Sequence, residues 1–423
     1  MPDSRPQPPR FPPSPSDPAD SATLLLCGAR LTDGRTVDVR LGGGRIEAVG
    51  TPGSLATGAV GARVDLRGYL LLPAPAEPHA HCDTALSADG TGDSRGSGGP
   101  GPQAPPPEEV QRRATEAVLL QLGHGATALR SHVRIGEPGL DALGAVLRAR
   151  RSLRGLAELT AVAMPGVLTG AAGADGLAML RDAVKMGATV VGGCPDADPD
   201  PAGYVEAVLQ IASEFGCPVD LHTDTRDPVR LSRLAAMAAG LRPGVTLGPC
   251  GGLGRLTAGT AARVADRLAA ARVTVVCLPQ GGCGAIGRRG TAPVRLLRSA
   301  GVRVAAGSGA LRDPANPVGR GDPLEAAYLL ASRYGVSTED AYDMVSASAR
   351  AALGLPEVRV EAGFPAELLA VRADGLAGAL SLAYSRVVIH RGRLVARTSA
   401  VREYCDSAAV ALELPRQGRA EPS

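Results

Sequence analysis

His79 and His81 are separated by one residue at the end of the run Tyr69-Leu70-Leu71-Leu72-Pro73-Ala74-Pro75-Ala76-Glu77-Pro78. On an extended strand, residues i and i+2 point to the same side, so the two imidazoles share one face. Such a pair is half of a divalent-metal site and needs further nitrogen or oxygen donors from other segments. The question is which elements bring those donors and whether acid–base groups accompany them.

Residues 23–72 alternate short apolar runs with turns: Leu24-Leu25-Leu26, Val37-Asp38-Val39-Arg40-Leu41, the turn Gly42-Gly43-Gly44, Ile46-Glu47-Ala48-Val49 and Val64-Asp65-Leu66. This reads as a small antiparallel sheet. The rhythm then changes. Eight short runs, at 69–76, 126–133, 156–164, 187–195, 218–224, 245–250, 273–280 and 302–309, are separated by longer amphipathic segments such as Pro107 to Leu122 and Pro323 to Leu355. Strands alternating with helices imply parallel units, and eight of them close a barrel whose chemistry sits at the C-terminal ends of its strands. After Pro356 the strand rhythm returns in Leu368-Leu369-Ala370-Val371, Val387-Val388-Ile389 and Gly392-Arg393-Leu394-Val395.

The expected fold class is therefore α/β: a (β/α)8 TIM-like barrel over 69–356, inserted into a small composite β-sandwich built from 23–68 and 357–400. A disordered Pro-rich tail over 1–22 and a C-terminal tail over 401–423 are expected to flank it. The mixture of Gly, Ser, Pro and Asp over 87–107 reads as a mobile loop over the barrel mouth.

Composition narrows the partners. Net charge is +3, Lys185 is the single lysine, and the arginines are spread along the chain rather than gathered in a block. No nucleic-acid partner is expected, and a small-molecule ligand fits better. No segment has the apolar length of a signal peptide or of a membrane span, so the expected location is cytoplasmic with no membrane partner. The eight cysteines, Cys27, Cys82, Cys194, Cys217, Cys250, Cys277, Cys283 and Cys405, form no C-x-x-C pair and read as reduced thiols. Trp is absent and Phe occurs three times, which leaves few platforms for stacking a flat base.

Five segments taken in order resemble the amidohydrolase superfamily, and within it the cytosine deaminase branch. Ala76-Glu77-Pro78-His79-Ala80-His81-Cys82-Asp83-Thr84 is similar to that family's first-strand E-P-H-x-H-L-D. Ala128-Leu129-Arg130-Ser131-His132-Val133 resembles its second-strand R-T-H-V, and Gly187-Ala188-Thr189-Val190-Val191-Gly192-Gly193 its fourth strand. Val219-Asp220-Leu221-His222-Thr223-Asp224 is similar to the fifth-strand V-H-C-D, and Ser346-Ala347-Ser348-Ala349-Arg350 to the S-A-R near the barrel's end. The resemblance spans residues 23–397. It implies a mononuclear iron or zinc enzyme that activates water against an amidine-like carbon and releases ammonia, with His79, His81 and His222 at metal-ligand positions.

The chain also departs from the pattern. The family's proton-shuttling glutamate is Thr225 here, its sixth-strand histidine is Pro249, and its eighth-strand aspartate is Gly309. A substrate-reading glutamine is replaced by Gly166, and Asp313 matches a loop position rather than the ligand. Hydrolytic deamination needs a carboxylate to move the proton and a donor at the reacting carbon. Thr225, Pro249 and Gly309 supply neither, and each lost acid–base group typically costs about 10²–10⁴ in rate.

The leading expectation is a catalytically degenerate relative of cytosine deaminase that binds a small ligand or a protein partner. The alternative is a divergent metal-dependent hydrolase of carbon–nitrogen bonds in a small cyclic substrate, with Asp224, Cys250 or Asp83 as the substitute group. The cofactor expectation is one Zn or Fe ion, or none. His132 is expected to support the ligands rather than join them, and His124 and His390 to lie outside the mouth. Cys82, Cys194 and Cys283, near strand ends like Cys250, read as buried thiols, and Arg288-Arg289 as a solvated loop pair.

Overall fold

Alternation along the outer strands separates two interiors. A computed structural model describes residues 23–56, 61–88, 105–136, 139–171, 173–281, 290–382 and 385–400. Both tails, most of the 87–107 loop, and Cys283, Cys405, Arg288 and Arg289 lie outside the described residues. The strands before the barrel are β1 (Leu24–Arg30), β2 (Thr36–Gly42), β3 (Arg45–Gly50), β4 (Ala62–Asp65) and β5 (Tyr69–Pro73). The barrel strands are β6 (Ala76–Ala80), β7 (Ala128–Ile135), β8 (Glu158–Pro165), β9 (Val190–Gly193), β10 (Val219–Thr223), β11 (Val245–Pro249), β12 (Thr274–Cys277) and β13 (Arg303–Ala306). A hairpin of β14 (Leu311–Asp313) and β15 (Asn316–Arg320) follows, then β16 (Leu368–Arg372), β17 (Arg386–His390) and β18 (Arg393–Thr398).

The outer sheet runs β18-β17-β16-β5-β1-β2-β3, with β4 paired to β1, so strands from the two ends of the chain form one sandwich. Leu26, Val39, Leu41 and Ile46 from the N-terminal part share an interior with Leu368, Ala370 and Ile389 from the C-terminal part. Residues one step along, Leu70, Leu72, Leu369, Val371 and Val388, face the other way and pack into the barrel's core. The period of two therefore glues the sandwich to the barrel.

The expected strand 69–76 is divided. Tyr69–Pro73 pairs antiparallel with Leu368–Arg372, and the barrel begins only at Ala76. Pro73 and Pro75 lack the N–H that a continuous ladder needs, and the amide between them, on Ala74, donates to Glu367 O at 2.9 Å instead. The single helix expected over 323–355 is three helices, Pro323–Tyr334, Thr338–Val345 and Ala347–Ala352. Gly335 ends the first in the left-handed conformation, and the Ser337 hydroxyl caps the second.

The eight barrel strands are parallel and ordered by sequence from β6 to β13. Closure comes from Gly309, whose N–H donates to His79 O at 3.1 Å beside a bridge between Ala80 and Gly309. Arg386 in β17 reaches the barrel side, where its guanidinium meets both carboxylate oxygens of Asp322 at 2.9 and 2.7 Å. Asp322 also caps helix Pro323–Tyr334 through Leu324 N. Burial pushes the Asp322 carboxyl up, but the hydrogen bonds and charge of Arg386 outweigh this and hold it below its ordinary value of 3.8.

Asp322→Ala would leave a buried guanidinium without its carboxylate and should cost about 3–5 kcal/mol in urea unfolding. Because the folded carboxyl is depressed, wild type should keep this contribution above the ordinary value of 3.8 and lose it as pH falls below. The gap between wild type and variant should therefore narrow in acid.

Candidate functional site

Inside the barrel, alternation stacks the inward-facing residues in layers. Ala76, Ala128, Val276 and Ala305 fill the lower part. Leu129, Val133, Val219, Leu221, Val245 and Leu247 point outward into the core beneath the helices. Their neighbours Arg130, His132, Asp220, His222, Thr246 and Gly248 therefore face inward, with Asp220 beside Thr246 and His222 beside Gly248 in the ladder. Charged and polar residues form the middle layer, and imidazoles form the top.

Four histidines converge there. Ring centroids are 4.3 Å apart for His79 and His222, 4.2 Å for His79 and His132, and 4.6 Å for His132 and His222. His81 stands edge-on, with its centroid 5.4 Å from both His79 and His222. A bulge lies between Glu77 and Ala80, three steps along β6 against two along β7, so β6 is re-aimed where it carries the ligand candidates. Glu77 holds the bulge, accepting from His79 N at 2.9 Å and from Ser308 N at 2.9 Å. Burial pushes its carboxyl up to about 7, opposed by these hydrogen bonds and that of the Ser308 hydroxyl.

His79, His132 and His222 can bring ligand atoms within 4.8 Å of one another, a set that differs from the expected His79, His81 and His222. The surroundings of the rings differ. His132 has Asp220 Oδ1 3.2 Å from Nε2 and Ala80 O 3.3 Å from Nδ1, so both nitrogens face oxygen acceptors. His81 Nδ1 lies 3.2 Å from His132 O, while its Nε2, like that of His132, is buried with no hydrogen-bond partner. Such an orphaned nitrogen is what a metal ligand looks like without its ion. Burial also pushes His81 down to about 3 and holds His79 and His222 far below the ordinary imidazole range, with neighbouring charges adding to the effect. Burial thus favours the neutral imidazole at all three, the form that coordinates zinc or iron.

Most of the residues weighed for acid–base or ligand roles are engaged in structural contacts or buried. Asp224 Oδ1 accepts from Gly252 N at 2.7 Å and holds the turn Gly251–Arg255. Cys250 is fully buried, and desolvation pushes its thiol far up, away from the thiolate that nucleophilic or ligand chemistry needs. Cys82 is likewise pushed up to about 12 by burial. Asp313 accepts from Ala315 N and Asn316 N at 2.9 Å and from the Thr84 hydroxyl at 3.2 Å, which fixes the hairpin. Thr225 Oγ1 accepts from Asp227 N at 3.2 Å. Gly309 has φ +74°, and a Cβ there would lie 3.3 Å from Leu278 Cδ1. Leu278 occupies the space beside the eighth strand's end. Asp83 is different: Oδ2 accepts from Arg134 N at 3.3 Å, Oδ1 is buried with no hydrogen-bond partner, and desolvation pushes the carboxyl up to about 6.

The sequence reading missed the pair beneath the histidines. Arg130 NH1 meets Asp220 Oδ2 at 2.9 Å, with side chains 2% and 1% exposed. Burial raises the Asp220 carboxyl, yet His132 and Arg130 together bring it below its ordinary range. A signal was present: each is a charged residue inside an apolar strand, and a charge in that position must be paired. The glycines Gly192 and Gly193 serve packing, since a Cβ at 193 would strike the Tyr204 hydroxyl, which donates to Pro165 O at 2.9 Å.

Among known proteins, a pterin deaminase of Rhizobium rhizogenes (strain K84) is 28% identical over 315 residues, covering 69% of this chain and 70% of that protein. The uncharacterized protein YahJ of Escherichia coli (strain K12) is 27% identical over 237 residues, 53% of this chain and 49% of its own length. Among solved structures, the N-isopropylammelide isopropylaminohydrolase of Burkholderia multivorans superposes with a TM-score of 0.77 at 27% identity, covering 90% of this chain and all of that one. The 5-methylcytosine deaminase of Klebsiella pneumoniae gives 0.76 at 23% identity, covering 91% of this chain and all of that one, a likeness of fold. The model of the amidohydrolase family matches residues 108–396, which include the β7 and β10 segments carrying His132 and His222. With the barrel, the sandwich of chain ends and the histidine cluster in place, the chain belongs to the amidohydrolase family.

Proposed function

We propose that this chain holds one zinc or iron ion through His79, His81 and His222 and binds a small cyclic nitrogen-containing ligand, having lost the groups for hydrolytic deamination. The observation that carries the ion is the buried, unpartnered Nε2 of His81, its ring 5.4 Å from those of His79 and His222. An ion held there would supply Lewis-acid polarisation of a bound carbonyl or ring nitrogen. Loss of deamination follows from Thr225, Pro249 and Gly309, from the engagement of Asp224 with Gly252, and from the buried Cys250 thiol. The side chains of this site would bind and orient a ligand, but these five positions leave its proton traffic unserved. A reducing cytoplasm suits the six described cysteines, all of them free thiols.

A second reading keeps hydrolysis of a carbon–nitrogen bond. It is favoured by Asp83, two residues beyond His81, with one buried carboxylate oxygen unengaged. The pterin deaminase and the isopropylaminohydrolase, both more than a quarter identical to this chain, lend it further support.

Metal content per chain on protein expressed with zinc and iron supplied separates the outcomes. One equivalent in wild type, lost in His79→Ala/His81→Ala, with ammonia release from cytosine and related cyclic amidines at background, is the expected result. Turnover that disappears in both His79→Ala and Asp83→Asn would establish the second reading instead, and metal-free wild type would remove the ion from both.

Restoring the family's carboxylate should not restore chemistry. Gly309→Asp must adopt a left-handed backbone against Leu278, so it should lose about 1–2 kcal/mol of stability. It should gain neither metal affinity nor ammonia release, and a gain in either would show that the space is available after all.

A further inference from the structure

Resting on the three-histidine reading above, we propose that Arg130, Asp220 and His132 form a buried relay that fixes His81 and His79 for the ion. In this relay His132 is a positioning residue rather than a ligand. The relay is continuous in space. Arg130 NH1 holds Asp220 Oδ2 at 2.9 Å, and the other oxygen, Oδ1, lies 3.2 Å from His132 Nε2. On the far side of that ring, Nδ1 lies 3.3 Å from Ala80 O, the carbonyl between the two first-strand histidines. The imidazole thus lies between a carboxylate on β10 and the backbone of β6; a neutral ring donates from only one of its nitrogens, and whichever nitrogen donates to an oxygen has no lone pair for a metal.

Two consequences reach the ligand candidates. The backbone carbonyl of His132 sits 3.2 Å from His81 Nδ1, an acceptor that draws the proton to Nδ1 and leaves the lone pair on the buried, unpartnered Nε2. The ring of His132 also stacks on His79, with centroids 4.2 Å apart and planes 29° from parallel, so clamping one orients the other. Asp220 lies two residues before His222 and Arg130 two before His132, which puts each relay charge and the histidine above it on one inward face of its strand. Arg130 pairs with Asp220 in a layer where a buried charge without a partner would be costly.

The test is a zinc titration against a chromophoric chelator on the full chain, with cobalt(II) absorption as a report of coordination. Removing a residue that orients a metal-bound histidine typically weakens binding about 10–100-fold. Arg130→Gln/Asp220→Asn removes both charges together, avoiding a lone buried ion, and should bind one zinc about 10–100-fold more weakly with an altered cobalt spectrum. His132→Asn keeps the Arg130–Asp220 pair and should likewise retain one equivalent at reduced affinity. In unloaded wild type, nitrogen chemical shifts should place the His81 proton on Nδ1, a readout that needs no variant to fold.

Wild-type affinity in a folded Arg130→Gln/Asp220→Asn protein, or a His81 proton on Nε2, overturns the relay while leaving the three-histidine site standing. Loss of the ion from His132→Asn as complete as from His79→Ala overturns it too, by making His132 a ligand. A wild type that takes up no zinc overturns the three-histidine reading and the relay with it.

Discussion

Arg130 and Asp220 meet at 2.9 Å inside the barrel with almost no exposed surface, and the layer above them depends on that contact. Two charges taken out of water are tolerated only when their partners satisfy them, and losing one partner typically costs about 3–5 kcal/mol. Here the carboxylate is shared. One oxygen answers the guanidinium and the other faces His132, whose ring stacks on His79 and whose carbonyl faces His81. A polar layer in a barrel otherwise packed with alanine, valine and leucine thus gives the histidines a rigid floor.

The other wall of the site is built differently. At the eighth strand the chain offers Gly307-Ser308-Gly309, and the contacts there are structural: Glu77 accepts from Ser308, and Gly309 closes the barrel against His79 O. Leu278 fills the neighbouring space. A side chain at this strand end would meet Leu278 and would have to adopt the left-handed backbone of Gly309, φ +74°.

The sandwich contributes by fixing the barrel from outside. Leu70, Leu72, Leu369 and Val371 enter the barrel's core while their neighbours fill the sandwich, so one set of strands serves two interiors. The Arg386–Asp322 pair locks that arrangement at helix Pro323–Tyr334. Strand β5, carried into the outer sheet by Pro73 and Pro75, delivers β6 and its histidines to the barrel at a fixed height.

The class of fold and most of its strands were legible in the sequence, because period-two and helical apolar patterns reflect local geometry that burial reinforces. The order of the eight runs and the return of strands after Pro356 could be read the same way, whereas His222 was proposed as a ligand only through the family resemblance. Tertiary structure decided what those patterns leave open. Whether 69–76 was one strand or two turned on which neighbour Pro73 met. That Asp224 and Cys250 were engaged or buried, and that Arg130 and Asp220 were partners, depended on contacts between residues far apart in the chain. A sequence records that a charged or polar group exists. Only the fold brings its partner within hydrogen-bonding distance, and that partner determines whether the group serves packing, positioning or chemistry.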